Sequence, residues 1–80
     1  MQPKSCVRKE VFVNKLRELG YSFKEQKKRI DLYRRNNPVH YVSIPRCDLL
    51  SEAFVQSALR QAGLTEDEIQ EFIAAVRVFS

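Results

Sequence analysis

Glycine, histidine and cysteine are scarce in this sequence. Its 80 residues include two glycines, two cysteines and one histidine. These numbers exclude a glycine-rich phosphate loop and a closed zinc site built from this chain alone, and the cysteines are too far apart for a Cys-x-x-Cys pair. No paired carboxylates or Ser-His-Asp set is evident. We therefore expect no metal, no other cofactor and two reduced thiols at Cys6 and Cys47, a disulfide between them being the disfavoured alternative.

Long apolar runs are also missing. No stretch approaches the roughly 20 apolar residues that a membrane-spanning helix needs. The charged residues at the start lead into no apolar segment of the kind that signal peptides contain. Since the hydrophobic fraction of 44% is ordinary for a globular protein, we expect one cytoplasmic domain over residues 1–80, with its core at about 6–76.

The charges are unevenly distributed along the chain. The net charge is +4, and residues 65–71 hold four acidic side chains and no cation. The cations between residues 24 and 35 are Lys24, Lys27, Lys28, Arg29, Arg34 and Arg35. A basic region that is interleaved with aromatic residues indicates a nucleic-acid interface, the alternative being an ordinary solvated surface.

Apolar residues at helical spacing predict three helices, over residues 6–19, 52–62 and 66–76. Ser5 is expected to cap the first helix, and Asp48 or Ser51 the second. Thr65 and Glu68 have the spacing of a capping box, which opens the third.

Three segments between the first two helices alternate as strands do, over residues 21–26, 29–35 and 39–44. Residues 36–38, Asn-Asn-Pro, predict a hairpin turn between the last two. The order α-β-β-β-α-α predicts an α+β fold, in which a three-stranded antiparallel sheet carries helices on one face.

The other face of this sheet is the predicted binding surface. Alternation is taken to point Ile30 and Leu32 towards the core, with Arg29, Asp31, Tyr33 and Arg35 outwards. On the third strand Val42 and Ile44 are expected to be buried, which leaves Tyr41 beside Tyr33 on the open face. Tyrosines in such a position stack on unpaired bases, or else pack across strands and stiffen the sheet.

Three segments resemble one known family. They are Leu19-Gly20-Tyr21, the strand end Ile44-Pro45-Arg46, and residues 57–65, Ser-Ala-Leu-Arg-Gln-Ala-Gly-Leu-Thr. Together with the element order they look like the HicA-type toxins over about residues 8–73. The resemblance implies a double-stranded-RNA-binding-like fold, messenger-RNA interferase activity and a HicB-type antitoxin as partner.

The sequence departs from that family at its catalytic position. The family places a Gly-Ser-His or similar triplet, which contains its catalytic His, at the entry to the second strand. The matching stretch here is Lys27-Lys28-Arg29. Alternation along the strand puts Arg29 at the His position, and an alignment shifted by one residue would put Ile30 there. Cys47 stands where the family often has another His. Arg29 can bind phosphate but cannot act as a general base, because guanidinium stays protonated.

These observations predict an RNA-binding HicA-like domain with impaired or absent ribonuclease activity. The residues predicted to bind RNA are Lys24, Lys27, Lys28, Arg29, Tyr33, Arg35, Tyr41 and Arg46. One alternative is an active endoribonuclease in which His40, a weak candidate, is catalytic. The other is a protein-interaction module that binds a HicB-like partner and no RNA.

Overall fold

The computed structural model of the chain describes residues 5–79. The strands are β1 (Ser5–Arg8), β2 (Tyr21–Gln26), β3 (Ile30–Asn36), β4 (Val39–Pro45), β5 (Leu49–Ser51) and β6 (Val78–Phe79). The helices are α1 (Lys9–Glu18), α2 (Glu52–Gln61) and α3 (Glu66–Val76). This arrangement confirms the predicted α+β class with a three-stranded antiparallel sheet and three helices. No helix in the described part of the chain is long and apolar enough to cross a membrane.

The central sheet has the strand order β2-β3-β4 and is antiparallel throughout. The β3–β4 pairing runs without a break from Ile30 opposite Pro45 to Asn36 opposite Val39. The β2–β3 pairing contains a bulge between Phe23 and Glu25. The predicted hairpin turn is present, with a cis Asn37–Pro38 peptide bond.

A second sheet, with the order β5-β1-β6, was not predicted. The expected helix over 6–19 is wrong at its start, because residues 5–8 form β1 and α1 begins at Lys9. Ser5 is therefore not a helix cap; its hydroxyl donates instead to the carboxylate of Glu52. The partners of β1 lie more than 40 residues along the chain, at Leu49–Ser51 and Val78–Phe79. Pairing between segments so far apart leaves no pattern in the local sequence. Val7 is fully buried in β1, but its position also fits the apolar stripe of the predicted helix.

The other two helices agree with their predicted bounds to within one residue. The side chain of Ser51 accepts from the backbone N–H of Phe54 at the start of α2. Thr65 and Glu68 form the predicted capping box of α3. Apolar residues of all three helices and of one sheet face form a single core.

The predicted orientation of β3 is wrong. Tyr33 lies opposite Val42, and both side chains are buried, with 6% and 5% exposed. Because side chains alternate along a strand, Asp31 and Tyr33 share the helix-covered face, whereas Ile30 and Leu32 lie on the other. That other face, which carries Ile30, Leu32, Arg34, Tyr41 and Ser43, is called the helix-free face below.

Candidate nucleic-acid interface

Two loops at one end of the central sheet form an open basic cleft. The β2–β3 loop supplies Lys28 and Arg29, and the chain leaving β4 supplies Pro45, Arg46 and Cys47. The backbone N–H of Arg46 donates to the carbonyl of Arg29 at 3.1 Å, which holds the two loops together. The resulting cleft has a volume of about 640 Å³, and no carboxylate among residues 5–79 lines it.

The cations of the β2–β3 loop are exposed and available to bind a ligand. The loop is tight, since the N–H of Lys27 donates to the carbonyl of Ile30 at 2.9 Å. Lys27, Lys28 and Arg29 follow one another within it and are exposed. Lys27 lies 3.9 Å from Glu25, but Lys28 and Arg29 have no ion-pair partner within residues 5–79.

A largely buried carboxylate lies close to Arg46 of the cleft. Asp31, whose side chain is 15% exposed, binds the ammonium of Lys9 at 2.7 Å. Its other oxygen, Oδ1, lies 3.8 Å from Nε of Arg46, which is too long for a hydrogen bond. Arg46 is therefore only loosely held by Asp31, and its side chain remains 45% exposed.

Two of the predicted RNA-binding residues lie in the helix-covered layer. Tyr33 is buried and packs edge-on against Phe23, with ring centroids 5.7 Å apart. Arg35 stacks over Tyr21 at 5.0 Å, and its guanidinium donates to the carbonyls of Pro38 and Ala62. Both predictions assumed the orientation of β3 that the structure contradicts, so Tyr33 and Arg35 do not join the cleft.

Lys24 and Tyr41 are exposed but lie outside the cleft. Lys24 occupies the bulge of β2. Tyr41 is 45% exposed on the helix-free face, where the guanidinium of Arg34 lies 5.7 Å from its ring. Tyr41 and Pro45 are four residue steps apart on β4, which corresponds to about 13 Å along the strand. The structure therefore brings together Lys28, Arg29 and Arg46, with Lys27 beside them, and separates the remaining predicted residues.

His40 lies at the opposite end of the sheet from the cleft. It pairs with Arg35, whereas the cleft begins where Ile30 pairs with Pro45. Five residue steps separate these pairs, about 17 Å. His40 Nδ1 is hydrogen-bonded to the hydroxyl of Tyr21 at 2.5 Å. Burial raises the pKa of Tyr21, an effect that the positive charge of Arg35 partly opposes.

The two residues that the sequence motifs match to the catalytic position of the HicA-type family lie in different elements. Arg29 lies in the loop before β3, so it has no place in the alternation of that strand. Ile30 is the first residue of β3 and belongs to the helix-free face. Neither residue can transfer a proton near neutral pH. Within residues 5–79, no group of His, Cys, Asp or Glu side chains is arranged to hold a metal ion.

No model of a known protein family matches the sequence, and no curated protein is similar enough to count as a relative. The resemblance to HicA-type toxins therefore stays a prediction.

Sequence reasoning found the three cations of the cleft but missed what surrounds them. Cys47 and Pro45 line the cleft, and Asp31, which is paired with Lys9, lies 3.8 Å from Arg46. The only local signal was that Cys47 follows Pro45-Arg46 at the end of a predicted strand. The ion pair between Lys9 and Asp31 joins residues that are 22 positions apart, and nothing in the local pattern indicates it.

Proposed function

We propose that the chain binds the phosphate backbone of RNA at the basic cleft and does not cleave it. The observation that supports this is the meeting of Lys28, Arg29 and Arg46, from two separate loops, in one cleft that no described carboxylate lines. Structural ion pairs occupy cations elsewhere, such as Arg60 with Glu66 and Arg77 with Glu52. In contrast, Lys28 and Arg29 have no ion-pair partner in the described part of the chain.

The chemistry of the three side chains suits phosphate. Arg29 and Arg46 present planar guanidinium groups that bind two phosphate oxygens at once, and Lys28 adds a compact ammonium charge. A protein that neutralises phosphates releases their counterions, so affinity falls as salt rises. With three contacts to a single strand, log K should fall with log salt at a slope of roughly −2.

Cleavage has no support at the cleft. Cutting RNA through its 2′-hydroxyl needs a base that exchanges a proton near neutral pH, and losing such a base costs about 10²–10⁴ in rate. Arginine cannot serve, and the only histidine lies about 17 Å away at the far end of the sheet. Binding without cleavage is therefore favoured over an interferase that uses His40.

The HicA-type resemblance extends this proposal. On that basis the RNA would be messenger RNA in the cytoplasm, and a HicB-like antitoxin would be the protein partner. This extension rests on the sequence motifs.

The test is the salt dependence of RNA binding. The affinity of the chain for a fluorescein-labelled single-stranded RNA is measured by fluorescence anisotropy over a series of KCl concentrations. The double variant Lys28→Ala/Arg29→Ala should bind more weakly, and its slope should be less steep by about 1.4, since about 0.7 is lost per contact. Arg8→Ala/Arg17→Ala is the matched control, because it removes two exposed cations that line a different cleft.

The control should keep the slope of the unmodified chain. Salt-independent binding, or equal slopes for the two double variants, would contradict the proposal. The same RNA, run on a denaturing gel after incubation, should remain intact. Cleavage that disappears in His40→Ala would instead support the active interferase.

A further inference from the structure

The outer edge of β4 is an unprotected strand edge. Strands at the edge of a sheet are usually shielded from other chains by charges, bulges or short length. The opposite edge, β2, has such protection, with Lys24, Glu25 and a bulge. In contrast, Val39–Pro45 forms seven residues of strand without one charged side chain, in a chain that is 30% charged. Within residues 5–79, no strand pairs with this edge.

The groove beside this edge is lined by uncharged residues. A groove of about 270 Å³ separates residues 41–43 of β4 from α2, which contributes Phe54, Ser57 and Gln61. On the helix-free face, Val39 is 58% exposed and Tyr41 45% exposed. Charged residues are depleted at the centre of protein interfaces, and the groove has that composition, although Arg34 lies over the ring of Tyr41 on the helix-free face.

We propose that two copies of the chain pair through β4, antiparallel and about a twofold axis at Tyr41, to form a continuous six-stranded sheet. In a twofold interface the same residues meet from both sides, so a charged edge would repel its own copy. An edge without charge has no such penalty. The free N–H and C=O groups of a strand edge are matched by another strand edge, which favours a second copy over a helix or a loop.

The register follows from the two faces of the sheet. A twofold axis at Tyr41 sets Tyr41 against Tyr41 of the second copy and Val39 against Ser43, all on the helix-free face. It sets His40 against Val42 on the helix-covered face. An axis at Val42 would instead bring Pro45, which cannot donate a hydrogen bond, opposite Val39. Opposed aromatic residues stabilise antiparallel pairs.

This arrangement would present two basic clefts on one sheet. Pro45 lies four residues from the axis in each copy, so the clefts are separated by roughly 27 Å along the strand direction. The pairing itself does not depend on RNA binding, and the two proposals therefore fail independently.

The test is the oligomeric state of the full chain. Sedimentation equilibrium from micromolar to millimolar concentration should show the mass rising from 9.4 kDa towards twice that value. In Tyr41→Glu, the new carboxylate gains Arg34 as a neighbour within its own chain, but two carboxylates then meet across the axis. Since like charges directly opposite are unfavourable by up to about 1 kcal/mol, dimerisation should weaken by up to about fivefold. Ser22→Glu is the matched control, because Ser22 also lies opposite Arg34 but belongs to the β2 edge.

A cross-linking experiment tests the register. Directly opposed residues of antiparallel strands have Cα atoms about 4.5–5.5 Å apart, within the range that a disulfide spans. In a Cys6→Ala/Cys47→Ala background, Tyr41→Cys should therefore form a covalent dimer on mild oxidation, and Ser22→Cys should not. A chain that stays monomeric at every concentration would overturn the proposal. So would equal dimerisation of the two Glu variants, or equal cross-linking of the two Cys variants.

Discussion

Replacing Asp31 by Asn should lower stability and strengthen RNA binding at the same time. The two effects have different origins in the structure. Asp31 holds Lys9 at 2.7 Å in a half-buried position, and it also places a negative charge 3.8 Å from Arg46 of the basic cleft. Asparagine keeps the size of the side chain and removes the charge.

The loss of stability follows from the ion pair with Lys9. A hydrogen bond that involves a charged group contributes about 1.5–3 kcal/mol. The side chain of Lys9 is 24% exposed, so water partly replaces the lost interaction. We therefore expect a loss of about 1–2 kcal/mol, which for a domain of this size lowers Tm by about 4–16 °C.

The gain in affinity follows from the distance to Arg46. Two charges about 4 Å apart interact by about 1–4 kcal/mol near a protein surface, and a bound phosphate would lie somewhat farther from Asp31. Removing the repulsion between Asp31 and the phosphate should contribute about 0.5–1 kcal/mol, so RNA should bind about two- to fivefold more tightly at low salt.

Thermal unfolding followed by circular dichroism gives the first quantity, and fluorescence anisotropy with labelled RNA gives the second. Asp67→Asn is the control, because it removes the same charge from an exposed site in the first turn of α3. Its Tm and affinity should change little. The reasoning is refuted if Asp31→Asn binds RNA no better than the control, or if its Tm is unchanged.

Three further variants test other parts of the structure. Burial raises the pKa of Tyr21 despite the nearby Arg35, so this residue contributes stability that is complete below about pH 10 and lost as pH rises through the raised pKa. Tyr21→Phe should therefore flatten the alkaline fall in Tm. Hydrogen bonds from Ser5 and Arg77 lower the pKa of Glu52, so its contribution is present above the usual carboxyl pKa and lost as pH falls through the lowered one. Glu52→Gln should lower Tm at neutral pH and flatten the acid fall. Thr65→Ala removes the N-cap of α3 and should cost about 1 kcal/mol in urea unfolding.

Each of these three predictions can be contradicted by one result. The prediction for Tyr21 fails if Tyr21→Phe and the unmodified chain show the same difference in Tm between neutral and alkaline pH. The prediction for Glu52 fails if Glu52→Gln and the unmodified chain show the same difference in Tm between neutral and acid pH. The prediction for Thr65 fails if Thr65→Ala unfolds at the same urea concentration as Thr65→Ser, which keeps a capping hydroxyl.

The sequence alone was enough to predict α2, α3 and the three central strands. Their signals are local, since helical spacing, the Thr65–Glu68 box and the Asn-Asn-Pro turn each lie within a few residues. The clustering of Lys27, Lys28 and Arg29 in one loop is local for the same reason. A pattern that spans one turn or one hairpin is visible without knowledge of the rest of the chain.

The tertiary structure decided the orientation of β3, the existence of the second sheet and the composition of the cleft. Both faces of β3 carry apolar side chains, Ile30 and Leu32 on one and Tyr33 on the other, so alternation alone does not show which face the helices cover. Pairing with Val42 of β4 decided it, and that placed Tyr33 and Arg35 in the helix-covered layer. The contact between Arg29 and Arg46 joins loops 17 residues apart, and β1 joins segments farther still. Such contacts depend on how the whole chain closes, because their energy comes from partners that no local stretch of sequence contains.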